Sequence, residues 1–225
     1  MLIDNNIDIY AGETPIVKVY AGESVVYDKQ TAPYTPLTYL QSTGTQYIET
    51  NYTPNANTII EFQVSDITTP SGTGNPNVVL YSASSQWDFT IYAMTYQEVN
   101  QYYGFRQMMY SNRNYTFGRG TYAAQNTFKL SDYGLTIWFN GTQIRTSGAI
   151  TPSHLTTLHI CGENRYNDNG LQSNYYKTYY FKIWEGDTLI YDFIPVLDSN
   201  NVACLYDKVS ETYFYNAGSG TFLYG

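Results

Sequence analysis

Few residues in this chain have the types and spacing that chemistry requires. Glu185 and Asp187 are two carboxylates close in sequence, and a carboxylate pair roughly 5–5.5 Å apart is what retaining glycoside hydrolysis needs. Gly186 between them reads as the centre of a hairpin turn, which is not where such a pair is held. The two histidines are His154, behind Pro152-Ser153 in turn-like sequence, and His159, inside an alternating run. Neither is accompanied by the Gly-x-Ser-x-Gly elbow that would expose a serine nucleophile. Cys161 and Cys204 sit in the apolar runs 158–161 and 202–205 and read as buried thiols, with a single disulfide as the alternative. With two histidines they also lack zinc-ligand spacing. Asn167, Asp168 and Asn169 before Gly170 offer oxygen ligands to a hard cation such as Ca²⁺. Only one of the three is a carboxylate, and a plain polar loop is the simpler account.

Aromatic and amide groups are far more plentiful. The chain of 225 residues carries 26 tyrosines, while only 13% of it is charged. Tyrosine rings pack well on pleated sheets and also form adaptable contact surfaces. Trp87 is one such group, and Tyr96, Tyr102, Tyr103, Tyr110, Asn112 and Tyr115 belong to the dense cluster from Tyr96 to Tyr122. Rings that stack on sugar C–H faces, beside amides that bond hydroxyls, make these the candidate glycan-binding residues. The competing role for each ring is packing, or a protein–protein contact where Tyr is also enriched. A net charge of −8 with no Lys/Arg cluster argues against nucleic acid, where phosphate neutralisation dominates affinity. No run reaches the ~18 apolar residues of a membrane span. The N-terminus lacks a signal peptide's basic and apolar regions, so neither a leader nor an anchor is expected.

The elements that position these groups read as strands. Residues 59–64 alternate apolar and polar, followed by 78–81 and 88–92. Residues 135–139 lead through Asn140-Gly141 into 142–145, and Asn-Gly between alternating runs marks a type I′ hairpin. Residues 180–184 turn at Glu185-Gly186-Asp187 into 189–194, where Pro195 should end the strand or place it at an edge. No long window has helical periodicity, so an antiparallel two-sheet sandwich is expected. Its polar stretches 68–77 and 162–174 read as loops.

The first thirty residues differ in kind. Tyr10-Ala11-Gly12-Glu13 recurs as Tyr20-Ala21-Gly22-Glu23, each followed by a short apolar run. Two such units cannot bury a core, so residues 1–30, with Tyr10, Gly12, Tyr20 and Gly22, are expected to pair with another chain. Residues 31–36, with Pro33 and Pro36, read as a linker, and residues 37–225 as the main domain.

Residues 37–50 (LTYLQSTGTQYIET) resemble the opening of laminin-G-like, concanavalin A-like jelly-roll domains of gut bacteria and their tailed phages. The closing stretches 193–198, 204–207 and 214–220 agree with it. The resemblance covers about 190 residues, by specific motifs at the two ends and by strand rhythm between. It implies an all-β jelly roll of lectin type, with Ca²⁺ a cofactor that such domains often hold. Glycosidases of this sandwich carry Glu-x-Asp-x-x-Glu, but position 190 here is Ile190, so no enzymatic activity is expected. The N-terminal repeat resembles segments of tailed-phage virion proteins. The expectation is therefore a structural virion protein, a fibre or capsid decoration, whose lectin-like domain faces host surface polysaccharide. Residues 1–30 would join other virion proteins or further copies of this chain, as a homo-oligomer and within that class a trimer. The alternative is a glycan-binding adhesive module of a gut bacterium with no virion role.

Overall fold

A computed structural model describes residues 10–11, 14–15, 18–21, 24–28, 33–68, 77–84, 90–94, 104–109, 113–117, 125–131, 136–145, 155–162 and 175–225. The chain divides into two compact units, Met1–Thr35 and Pro36–Gly225. In the first, β1 (Tyr10–Ala11) pairs with β2 (Thr14–Pro15), and β3 (Lys18–Ala21) with β4 (Ser24–Asp28). Ala11 lies opposite Thr14 and Tyr10 opposite Pro15; Ala21 lies opposite Ser24 and Tyr20 opposite Val25. The ten-residue repeat is thus two successive hairpins in one register, and each Tyr-Ala pair is itself strand.

The remaining strands are β5 (Thr35–Pro36), β6 (Leu40–Thr43), β7 (Ile48–Glu49), β8 (Thr58–Thr68), β9 (Asn77–Ser84), β10 (Thr90–Met94), β11 (Gly104–Met109), β12 (Arg113–Phe117), β13 (Asn126–Ser131), β14 (Thr136–Phe139), β15 (Thr142–Arg145), β16 (Leu155–Ile160), β17 (Tyr175–Glu185), β18 (Thr188–Leu197), β19 (Ala203–Asp207), β20 (Thr212–Phe214) and β21 (Leu223–Tyr224). Among the described residues there is no helix. The second unit has two antiparallel sheets. One runs β15-β14-β13-β8-β17-β18-β19-β20, with β6 against the N-terminal half of β17 and β21 on β6; the other runs β12-β11-β10-β9-β16-β7.

The core forms where the sheets face each other. β8 alternates buried and half-buried from Thr58 to Val64, the period of two that presents Ile60, Phe62 and Val64 to one side. Phe62 stacks between Phe128 and Phe181 of the neighbouring strands, at 4.7 and 5.3 Å. From the opposite sheet Tyr81 meets Phe62 and Phe181 edge-on, at 5.6 and 5.9 Å. β9 carries a bulge: Ile91 pairs with Tyr81 and Tyr92 with Val79, leaving Leu80 as the extra residue. A bulge turns successive side chains the same way, and both Leu80 and Tyr81 belong to the core. The Leu80 carbonyl accepts the Cys161 N–H at 3.2 Å and, from the facing sheet, the Tyr176 hydroxyl at 2.7 Å.

The expected turns are in place. Asn140 and Gly141 have φ of 49° and 78°, as type I′ requires. The Asn140 carboxamide oxygen accepts the Thr127 N–H at 2.8 Å. Gly186, with φ of 57°, joins β17 to β18. Pro195 does not end its strand, which runs on to Leu197, with Pro195 opposite Leu205 of β19. Its carbonyl accepts the Leu37 N–H at 3.0 Å. Because a strand residue's N–H and C=O point to one side, the imino nitrogen faces away from β19 and no ladder bond is lost.

Two substitutions separate the contributions of ring packing and inter-sheet hydrogen bonding. Phe62→Ala should cost about 3–5 kcal/mol, as buried aromatic truncations do. Tyr176→Phe should cost about 1 kcal/mol, since the Leu80 carbonyl keeps the Cys161 N–H. Urea-unfolding midpoints measure both.

Candidate functional site

Several of the chemically reactive groups read from the sequence have structural partners. The Glu185 carboxylate accepts the Asn55 carboxamide N–H at 2.7 Å and the Tyr52 hydroxyl at 3.1 Å. That hydroxyl also meets Thr58 Oγ1 at 2.6 Å, and burial is the main cause that pushes Tyr52 up to about 12. Asp187 is exposed in the hairpin turn. Cys161 and Cys204 are both free and buried; burial raises their thiols to about 11 and about 12. A thiol so far above neutral is not a ready nucleophile. His159 is buried and stacks on Tyr47 with ring centroids 4.7 Å apart. Burial lowers its pKa, and Glu49, opposite it on β7, works the other way.

Most of the sites expected from sequence lie outside the described residues: Trp87, Tyr96, Tyr102, Tyr103, Tyr110, Asn112, Asn167, Asp168, Asn169, His154, Gly12 and Gly22. Tyr115 falls on β12, opposite Gln107 of β11, which puts part of the aromatic tract on the outer strands of the smaller sheet. Tyr10 and Tyr20 occupy matching hairpin positions. Among the described residues no group of three His, Cys, Asp or Glu could hold a metal.

A recess that the sequence reading missed lies where the two ends of the second unit meet. The Asn216 carboxamide oxygen accepts the N–H of Tyr47 at 3.2 Å and of Gly218 at 2.9 Å, while its nitrogen donates to the Gly220 carbonyl at 2.9 Å. Ala217 and Ser219 donate their N–H groups to the carbonyls of Tyr47 and Thr45, at 2.8 and 3.1 Å. A side chain at Gly218 would collide with the Thr45 carbonyl, so only glycine allows this approach. Beside this clasp, Asp198 builds a tight turn. Its Oδ1 accepts the N–H of Asn200 and Val202, both at 2.8 Å, and its Oδ2 accepts the Tyr215 hydroxyl at 2.9 Å. Those bonds, the Val202 N–H foremost, hold its carboxyl below the usual range.

Clasp and turn enclose a groove of about 440 Å³ lined by Asn201, Val202, Tyr215, Asn216, Thr221, Phe222 and Tyr224, with Ala203 and two glycines. Val202, Tyr215 and Tyr224 are 46%, 46% and 49% exposed, large values for rings and branched chains that line one recess. The groove has no charged lining residue. The Asn201 carboxamide, on a residue with φ of 62°, has no hydrogen-bond partner among the described residues. Half-open rings beside an uncommitted amide can stack on and hydrogen-bond a neutral, hydroxyl-rich ligand. The sequence signal was present in Tyr215-Asn216 and Tyr224, but these residues converge only through the clasp.

Compared with known protein families, curated proteins and solved structures, the chain matches none.

His159 makes stability pH-dependent in a defined direction. Its folded pKa lies below the ordinary value of about 6.5, so its contribution is present above that pH and is lost as pH falls through the folded value. Unfolding free energy should fall between pH 7 and 5 by up to about 1.4 kcal/mol per unit from this residue. His159→Gln should flatten that slope; an unchanged slope would assign it to other groups.

Proposed function

We propose that this protein is a non-catalytic, lectin-like binding module with a jelly-roll sandwich of the laminin-G-like, concanavalin A-like kind, displayed on the virion of a tailed phage. The observation that carries the binding reading is the neutral, aromatic-lined groove on the terminal clasp. It holds two half-exposed tyrosine rings and a carboxamide with no described partner. Pockets of about 300–1,000 Å³ with a few placed polar groups are the usual form of a small-ligand site. Glu185, His159 and both cysteines are engaged in packing and hydrogen bonding, which supports a module that binds and does not turn over.

The virion setting rests on the resemblance of the N-terminal repeat to phage virion segments. It is supported by the compact first unit, whose two hairpins share one register. Strands of two to five residues are too short to be stable alone, so pairing with a neighbouring virion chain or another copy suits them. A closed homo-oligomer, a trimer in this proposal, would repeat the groove, and repeated weak sites gain avidity. The natural ligand class is neutral host surface polysaccharide.

Two experiments test this. Titrating the full chain with neutral oligosaccharides from host capsule, Tyr215→Ala and Tyr224→Ala should each weaken binding roughly three- to tenfold, the worth of one aromatic stacking contact. Equal affinity in both variants would take the ligand away from the groove. Deleting residues 1–30 should leave a folded sandwich that no longer enters its assembly, and full incorporation of the truncated chain would end the anchoring role.

A further inference from the structure

The outward face of the large sheet holds a second recess of different chemistry. Strand register sets a row of side chains across it: Gln143 on β15 lies opposite Trp138 on β14, which lies opposite Lys129 on β13. Lys129 lies opposite Glu61 on β8, Glu61 opposite Lys182 on β17, and Lys182 opposite Asp192 on β18. Beyond them Lys208 pairs with Asp192 at 2.6 Å. The charges alternate in sign, the arrangement that favours cross-strand neighbours. At the Trp138 end the row opens into a recess of about 400 Å³ lined by Glu61, Thr127, Lys129, Trp138 and Gly141.

The groups in this recess are only partly committed. Lys129 is exposed, and its ammonium stands 5.7 Å from the Trp138 ring centroid. Among the described residues no carboxylate lies within ion-pair distance of it, unlike Lys177, Lys182 and Lys208. Glu61 uses Oε1 to accept the Tyr180 hydroxyl at 3.2 Å, which leaves Oε2 without a described partner. The Trp138 indole N–H likewise has no described acceptor. A ring face, one unneutralised cation and one available carboxylate oxygen therefore share a single opening.

We infer that this recess binds the acidic sugar unit of a hexuronate-containing polysaccharide. Its carboxylate would neutralise Lys129, its C–H face would lie on Trp138, and its hydroxyls would donate to Glu61. The charge count favours a carboxylate over a phosphate: Glu61 repels a dianion, and the recess offers no arginine fork. A peptide is disfavoured because β8, β13 and β14 are each paired on both sides, so the lining strands present no free edge for main-chain bonding. The inference rests on the glycan-binding reading above and adds to it a second subsite with the opposite preference, acidic where the clasp groove is neutral.

The test uses the full chain and three probes: oligosaccharides of galacturonate, of mannuronate and of a glucuronate-containing polymer, each beside its methyl-esterified, uncharged counterpart. At least one acid form should bind about tenfold tighter than its ester, a gap that narrows at about 0.5 M NaCl through screening. Lys129→Gln, an exposed change that should not disturb folding, should erase the gap and leave ester affinity unaltered. Trp138→Ala should weaken acid and ester alike at this site, with its fold checked by circular dichroism. In a Tyr215→Ala background, which weakens the neutral groove, Lys129→Gln should still remove the acid form's advantage. Acid and ester binding equally in all three pairs, or a gap that survives Lys129→Gln, would overturn the second subsite while leaving the groove standing. No binding of any probe, together with none of the neutral oligosaccharides, would overturn the glycan-binding reading itself.

Discussion

One carboxamide, that of Asn216, ties the two ends of the second unit together. It bonds the backbone of Tyr47, 169 residues away in sequence, while bonding its own turn at Gly218 and Gly220. Tyr47, held by that bond, provides the ring on which His159 stacks. It also lies against Gly162, where an added Cβ would approach its own Cβ to 2.6 Å. β21 reaches β6 on the same side, and Thr38 and Tyr39 donate to the carbonyl of Gly225. The groove walls are the outer surface of this clasp. Closing a loop this long costs entropy before any contact repays it, and the clasp is among the most non-local contacts of the second unit.

The same economy of polar groups shapes the C-terminal strands. Asp207 is fully buried, and its carboxylate is saturated: Oδ1 takes the N–H groups of Asp192 and Val209, and Oδ2 takes the N–H and hydroxyl of Ser210. Asp198 does the equivalent work at the preceding loop. A buried charge is tolerable when every lone pair is used, and these two replace ion pairs as turn builders. The closing motifs 193–198, 204–207 and 214–220 are thereby accounted for in physical terms. Their Asp and Asn residues hold backbone turns, which fixes the strand ends and leaves the rings of Tyr215 and Tyr224 outside.

Period and turn chemistry were legible in the sequence because both are local. Alternation at 59–64 gave the inward Ile60, Phe62 and Val64, and Asn140-Gly141 and Gly186 marked their hairpins. Register was not legible, since it depends on which strand lies alongside. The bulge at Leu80 places neighbouring residues in one core, against strict alternation. A second irregularity places Asp66 at φ of 50° within β8, where its carboxylate reaches Lys177 at 2.6 Å. Pro195 signals a strand end or an edge because it lacks one donor, and the sequence does not tell which side that missing donor faces. The row from Gln143 to Asp192 is likewise invisible along the chain, since each member comes from a different strand.

Register also fixes which positions of the large sheet lie side by side. The recess at Lys129 and the groove at Ala203 belong to one sheet, with β13 and β19 separated by four strand steps, a lateral distance of about 19 Å at about 4.8 Å per step. The alternating charges of Glu61, Lys182, Asp192 and Lys208 span most of that interval. Of these, Asp192 is buried and takes both Lys182 and Lys208 as ion-pair partners. On the glycan-binding reading, a neutral subsite and an acidic subsite held at a fixed interval respond to the order of sugars along a polymer as well as to their identity. A linker between two such units that cannot span the interval gains nothing from the second site, and one that matches it gains most. The strand pairing that buries Phe62 on one face sets, on the other, the row that runs from Gln143 to Asp192.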